Sequence, residues 1–83
     1  MNKTSSRFKD FESIVINDNQ FEKCLTVILF LESIDIMKLL SYLRCNGWSN
    51  YKFNQYSMKT QINEHGTYTT AIIGYVPPAV NFK

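Results

Sequence analysis

Apolar and polar positions change rhythm several times along this 83-residue chain, and each change predicts an element. Phe11-Glu12-Ser13-Ile14-Val15-Ile16 is short, β-branched and followed by Asn17-Asp18-Asn19. Asn and Asp favour turns because their side chains bond nearby backbone, so this reads as a strand running into a turn. Leu25-Thr26-Val27-Ile28-Leu29-Phe30-Leu31 is almost continuously apolar. That predicts a strand buried on both faces, or covered by a helix on one face and a partner on the other. A single long helix from Asp18 through Asn46 is the competing reading. β-Branched residues lose rotamer freedom in helices, and Ser33 looks like a fresh start, so strand-then-helix is preferred.

From Ser33 the period becomes helical. Ser33 suits a cap and Asp35 the positive end of the helix dipole. Ile36, Leu39, Leu40 and Leu43 recur on one face, with Lys38, Ser41 and Arg44 on the other. Asn46-Gly47 ends the segment, glycine being suited to the left-handed position after a helix. Trp48 to Met58 then predicts a long strand. In it Tyr51 and Phe53 point one way, and Lys52, Asn54 and Tyr56 the other. Lys59 to Gly66 is polar apart from Ile62 and is expected to hold the reversal. Thr67 to Val76 has high β-propensity and stops at Pro77-Pro78, since proline cannot donate to a ladder.

The order is β-β-α-β-β, which makes the fold class α+β. The expected architecture is a small antiparallel sheet of about four strands packed against one amphipathic helix. Residues 11–78 form the domain, with tails at 1–10 and 79–83. A helical crossover is expected to be right-handed where it joins parallel strands.

Composition narrows the class without naming a function. An apolar fraction of 45% with 14% aromatic residues supports a real core, and 19% charged residues is too few for disorder. A chain this short buries only about 60–65% of its unfolded surface, so association with a second copy or another protein is a natural way to gain stability. The net charge of +2 is weak. Lys3, Arg7 and Lys9 are followed at once by Asp10 and Glu12, which reads as a solvated tail and not a phosphate-binding arm. No segment approaches the roughly 20 apolar residues of a membrane span. The opening residues lead to Asp10 and Glu12 instead of an apolar stretch, so no signal peptide is expected and a cytoplasmic setting is the default. Phe, Tyr, Met, Ile, Asn and Lys are abundant while Gly, Ala, Arg and Pro are scarce, a bias typical of A·T-rich genes such as those of phages and mobile elements.

Candidate chemistry is sparse. The helix is expected to bring Cys45 back toward the level of Cys24, which leaves a disulfide open; a cytoplasmic setting favours two free thiols. His65, the one histidine, sits in the turn-like Asn63-Glu64-His65-Gly66. A catalytic histidine needs an oriented second group and a nucleophile or bound water, and two Cys with one His do not complete a structural zinc site. Gly47, Gly66 and Gly74 stand alone, so there is no phosphate cradle. No cofactor, metal or catalytic activity is expected.

The aromatic residues carry the functional expectation. Trp48, Tyr68 and Tyr75, with Lys52, Asn54 and Tyr56, are the candidate partner-binding residues, on a sheet face or an edge strand. Tyr and Trp supply large contact areas at low entropic cost. The reading is a non-enzymatic module acting by protein–protein contact, as a homodimer or as an inhibitor or accessory protein of a phage or mobile element. The alternative is a single-stranded nucleic-acid binder that stacks bases on Tyr56 and its neighbours and holds phosphates with Lys52 and Lys59. The thin basic charge weighs against it.

Overall fold

Leu25, Val27 and Leu29 alternate with Cys24, Thr26 and Ile28, and this period of two places the first set wholly inside. A computed structural model describes residues 11–79; the expected tail at 1–10, and all but the first residue of the expected tail at 79–83, lie outside the described residues. It contains β1 (Val15–Asn19), β2 (Cys24–Leu29), α1 (Ile36–Cys45), β3 (Lys52–Asn63) and β4 (Gly66–Val76). The strands form one antiparallel sheet in the order β1-β2-β4-β3. The fold is therefore the expected small α+β arrangement. The helix joins β2 to β3, and because each of these is antiparallel to β4 the two run parallel with β4 between them, so β2-α1-β3 is the kind of crossover to which the right-handed rule applies.

One helix covers one face. Leu39, Leu40 and Leu43 of α1 pack with Leu25, Val27 and Leu29 of β2 and Ala71, Ile73 and Tyr75 of β4. Burial of large aliphatic side chains is worth about 1.5–3 kcal/mol each, which makes this layer the main source of stability. The opposite face of the sheet has no covering element among the described residues, and is called the open face below. No described helix is long and apolar enough to cross a membrane.

Several boundaries differ from expectation, each for a local reason. The first strand is not Phe11–Ile16 but Val15–Asn19. Phe11 instead enters the core from a turn, 3% exposed and with its ring 5.0 Å from Tyr42. Asn17-Asp18-Asn19 pairs with Thr26, Leu25 and Cys24, and the reversal falls at residues 20–23. Asn19 still serves the turn through Oδ1, which accepts from Glu22 N at 3.0 Å, while Lys23 takes a φ of +58°. The competing long helix from Asp18 to Asn46 is excluded by β2.

The helix is capped by Asp35, two residues beyond Ser33. Its Oδ1 accepts from Met37 N at 3.0 Å. At the other end Gly47 adopts φ +109°, which lets Trp48 N donate to Leu43 O at 3.1 Å across the terminus. The third strand runs to Asn63, beyond the expected end at Met58 and through most of the supposed reversal. Only Glu64 and His65 remain in the turn, with Gly66 following at φ +121°.

The segment between β2 and α1 is tied to the sheet by hydroxyls. Thr69, 1% exposed, donates to Leu31 O at 2.9 Å and so accepts from Thr60 at 3.0 Å. Thr60 also approaches Glu32 O at 3.4 Å. The crossing chain thereby passes over β4 and then β3 before the helix begins.

Candidate protein-binding surface

A bulge in β3 decides which residues share a face. Phe53 pairs with Tyr75 and Gln55 with Gly74, so Asn54 is an extra residue in the strand. Both Asn54 and Gln55 crowd Gly74. A Cβ built there would lie 2.9 Å from Asn54 Oδ1 and 3.0 Å from Gln55 Cγ, so the glycine is what makes room for two residues opposite one.

The extra residue inverts the alternation downstream. Tyr56 pairs with Ile73, Met58 with Ala71 and Thr60 with Thr69, all three partners being buried on the helix side. Tyr56 is therefore on the same face as Phe53, correcting the simple alternation that set it with Lys52. Lys52 pairs with Val76 on the open face. Lys52 and Tyr56 thus lie on opposite faces of β3.

The remaining candidates also separate. Tyr75 is buried, and its hydroxyl donates to Asp18 Oδ1 at 2.6 Å. That hydrogen bond, with burial behind it, pushes its pKa up to about 12. Trp48 is half-buried against the core, its ring 6.4 Å from Tyr51, which meets Tyr75 edge-on at 5.0 Å. Tyr68 is half-buried on the open face, 6.4 Å from the ring of Phe30. Asn54 is exposed beside Gly74, and with Gln55, Cys24, Ile72 and Val76 it borders a shallow open hollow of about 760 Å³. The sequence thus anticipated aromatic weight, but most of it lies in the core.

What remains at the surface is the helix side of β3. Tyr56 is 53% exposed, Met58 41% and Ile62 80%, and β3 is an edge strand throughout its 12 residues. Its outer backbone groups have no strand partner among the described residues. Arg44 lies over the Phe53 ring, Cζ 5.3 Å from the centroid, while Glu32 O meets Thr60. The helix therefore runs opposite to β3. Met37, two turns before Arg44, falls on the same helical stripe about 10 Å back, roughly level with Tyr56. It is 63% exposed. Tyr56, Met58 and Ile62 form an exposed apolar row along the β3 edge, which has no strand partner among the described residues. The facing of Met58 escaped the sequence reading because a single bulged residue carries no periodic signal, and Ile62 was set in the reversal because it stands alone among polar residues.

Other chemistry is peripheral. His65 and Glu64 pair at 3.3 Å at the hairpin tip with side chains 78% and 84% exposed, and His65 N donates to Asn63 Oδ1. Cys24 and Cys45 are free thiols: Cys24 is on the open face of β2, Cys45 at the exposed end of α1 beneath the sheet. The layer of core side chains separates them. No group of three or more His, Cys, Asp or Glu is placed to hold a metal among the described residues. No family model, no curated protein and no solved structure matches this chain, so its surface chemistry stands as the guide to its role.

Proposed function

We propose that this chain is a non-enzymatic protein-binding module that works by strand addition at the outer edge of β3. The observation that carries the reading is a 12-residue edge without a strand partner among the described residues, with Tyr56, Met58 and Ile62 exposed beside it. An arriving strand gains main-chain hydrogen bonds from such an edge and seats alternate side chains on the apolar row. Long edges left open invite association, and soluble proteins ordinarily blunt them with proline, bulges, added charge or covering elements; the bulge of β3 lies at Asn54, near its start, and residues 56–63 pair without a break. Here β3 contains no proline, and of its charged residues Lys52 is at one end and Lys59 faces the open side. The size and residue bias suit an inhibitor or accessory protein of a phage or mobile element, working in the cytoplasm.

Hydrogen exchange and affinity capture test the reading together. Amides of residues 55–62 gain protection when a captured partner binds, and Tyr56→Lys or Met58→Lys lowers capture at least tenfold while circular dichroism is unchanged. Capture that persists undiminished in both variants, with β3 amides unprotected, overturns it.

A further inference from the structure

We propose that the occupant of the β3 edge is a second copy of this chain, paired antiparallel through β3 about a two-fold axis at Met58. This rests on the reading of β3 as a binding edge and names its partner. A two-fold axis perpendicular to a sheet keeps the faces distinct, so helix-side residues of one copy meet helix-side residues of the other. Counting the bulged pair Asn54-Gln55 as a single step, β3 has as many steps before Met58 as after it. An axis at Met58 therefore pairs the whole edge, from Lys52 opposite Asn63 to Asn63 opposite Lys52.

The side chains agree with this register. On the helix side Met58 meets its own copy, Tyr56 meets Thr60 and Phe53 meets Ile62. Each exposed apolar side chain of β3 thus finds a neighbour, including Ile62, which has little else to touch at 80% exposure. On the open face Gln55 meets Gln61 and Lys59 meets Ser57, so amides and hydroxyls face one another. Sliding the axis one residue to Lys59 sets two lysines directly opposite, which is destabilising. Sliding it to Ser57 shortens the ladder, and leaves Ile62 beyond the paired strand. The apolar layer of Ala71 and Ile73, continued outward by Met58 and Tyr56, then runs unbroken through an eight-stranded sheet.

Disulfide trapping reads the register directly. In a Cys24→Ser/Cys45→Ser background, Met58→Cys lies opposite itself. Opposed antiparallel residues have Cα atoms about 4.5–5.5 Å apart, within disulfide reach. Mild oxidation is expected to convert most of this variant to a covalent dimer. Thr60→Cys, about 13 Å from its own copy along the strand, is expected to stay monomeric on a denaturing gel. Sedimentation is expected to show the unmodified protein as a dimer and Met58→Lys as a folded monomer. A strict monomer up to several hundred micromolar, or a dimer that cross-links at Thr60 and not Met58, overturns the proposal. If the monomer still captures another protein and loses it on Met58→Lys, self-pairing fails while the edge keeps its role. A dimer whose β3 amides stay unprotected defeats both.

Discussion

The Tyr75 hydroxyl donates to the Asp18 carboxylate at 2.6 Å, joining β4 to the edge strand β1 across the intervening β2. β1 has only five residues and one neighbour, so a tie to the third strand inward is a substantial part of what holds it.

Removing that tie is expected to loosen β1 without unfolding the domain. Tyr75→Phe keeps the ring and its edge-on contact with Tyr51, and loses one hydrogen bond to a carboxylate, for about 1.5–3 kcal/mol. Denaturant titration measures it. The pH dependence gives a second signature. The folded pKa of about 12 exceeds the ordinary value of 10, so the contribution is complete below pH 10. Between pH 10 and 12 the unfolded chain loses the phenolic proton first, and stability falls as pH rises. The wild type is expected to decline more steeply than Tyr75→Phe in that window; parallel slopes count against the assignment.

Gly74 and Asn54 are expected to be energetically coupled. Gly74→Val forces the bulge side chains aside and costs about 1–3 kcal/mol by overpacking. Deleting Asn54 leaves Phe53 opposite Tyr75 and Gln55 opposite Gly74, so faces and register survive. In that shortened chain Gly74→Val is expected to cost at least 0.5 kcal/mol less, the range in which contacting residues depart from additivity. A double-mutant cycle by thermal denaturation decides it, and additive costs would show that the two residues do not share the space.

Capping provides a third check. Asp35→Ala is expected to cost about 1 kcal/mol through loss of the bond to Met37 N, whereas Ser33→Ala stays within about 0.5 kcal/mol. Equal losses at the two positions would place the helix start two residues earlier.

The elements that could be read in advance are those whose burial is one-sided. α1 announces itself through Leu39, Leu40 and Leu43 and stops at Gly47, and β4 through its run of Thr, Tyr and Ile before Pro77. The distal half of β3 could not be read. Lys59, Gln61 and Asn63 are exposed on one face and Ile62 on the other, so no hydrophobic alternation marks the strand, and its pairing with β4 is a backbone matter. β1 was displaced for a similar reason: on an edge, Asn17 and Asn19 need supply only main-chain bonds. The surface was misassigned at one residue. Asn54 reverses the facing of everything after it, which turned Tyr56 from a companion of Lys52 into a companion of Met58.

The place of β4 in the sheet sets a timetable for assembly. It is an inner strand, it carries Thr69, Ala71, Ile73 and Tyr75, and it is the last of the five elements to be synthesised. Until it emerges, β2 lacks one neighbour, the helix lacks half its floor, and the hydroxyl that holds Leu31 does not exist. A chain ending at Asn63 therefore leaves the β4 side of Leu39, Leu40 and Leu43 uncovered. The β3–β4 hairpin, with its two-residue turn, closes that layer, and local structures of this kind form on the microsecond scale.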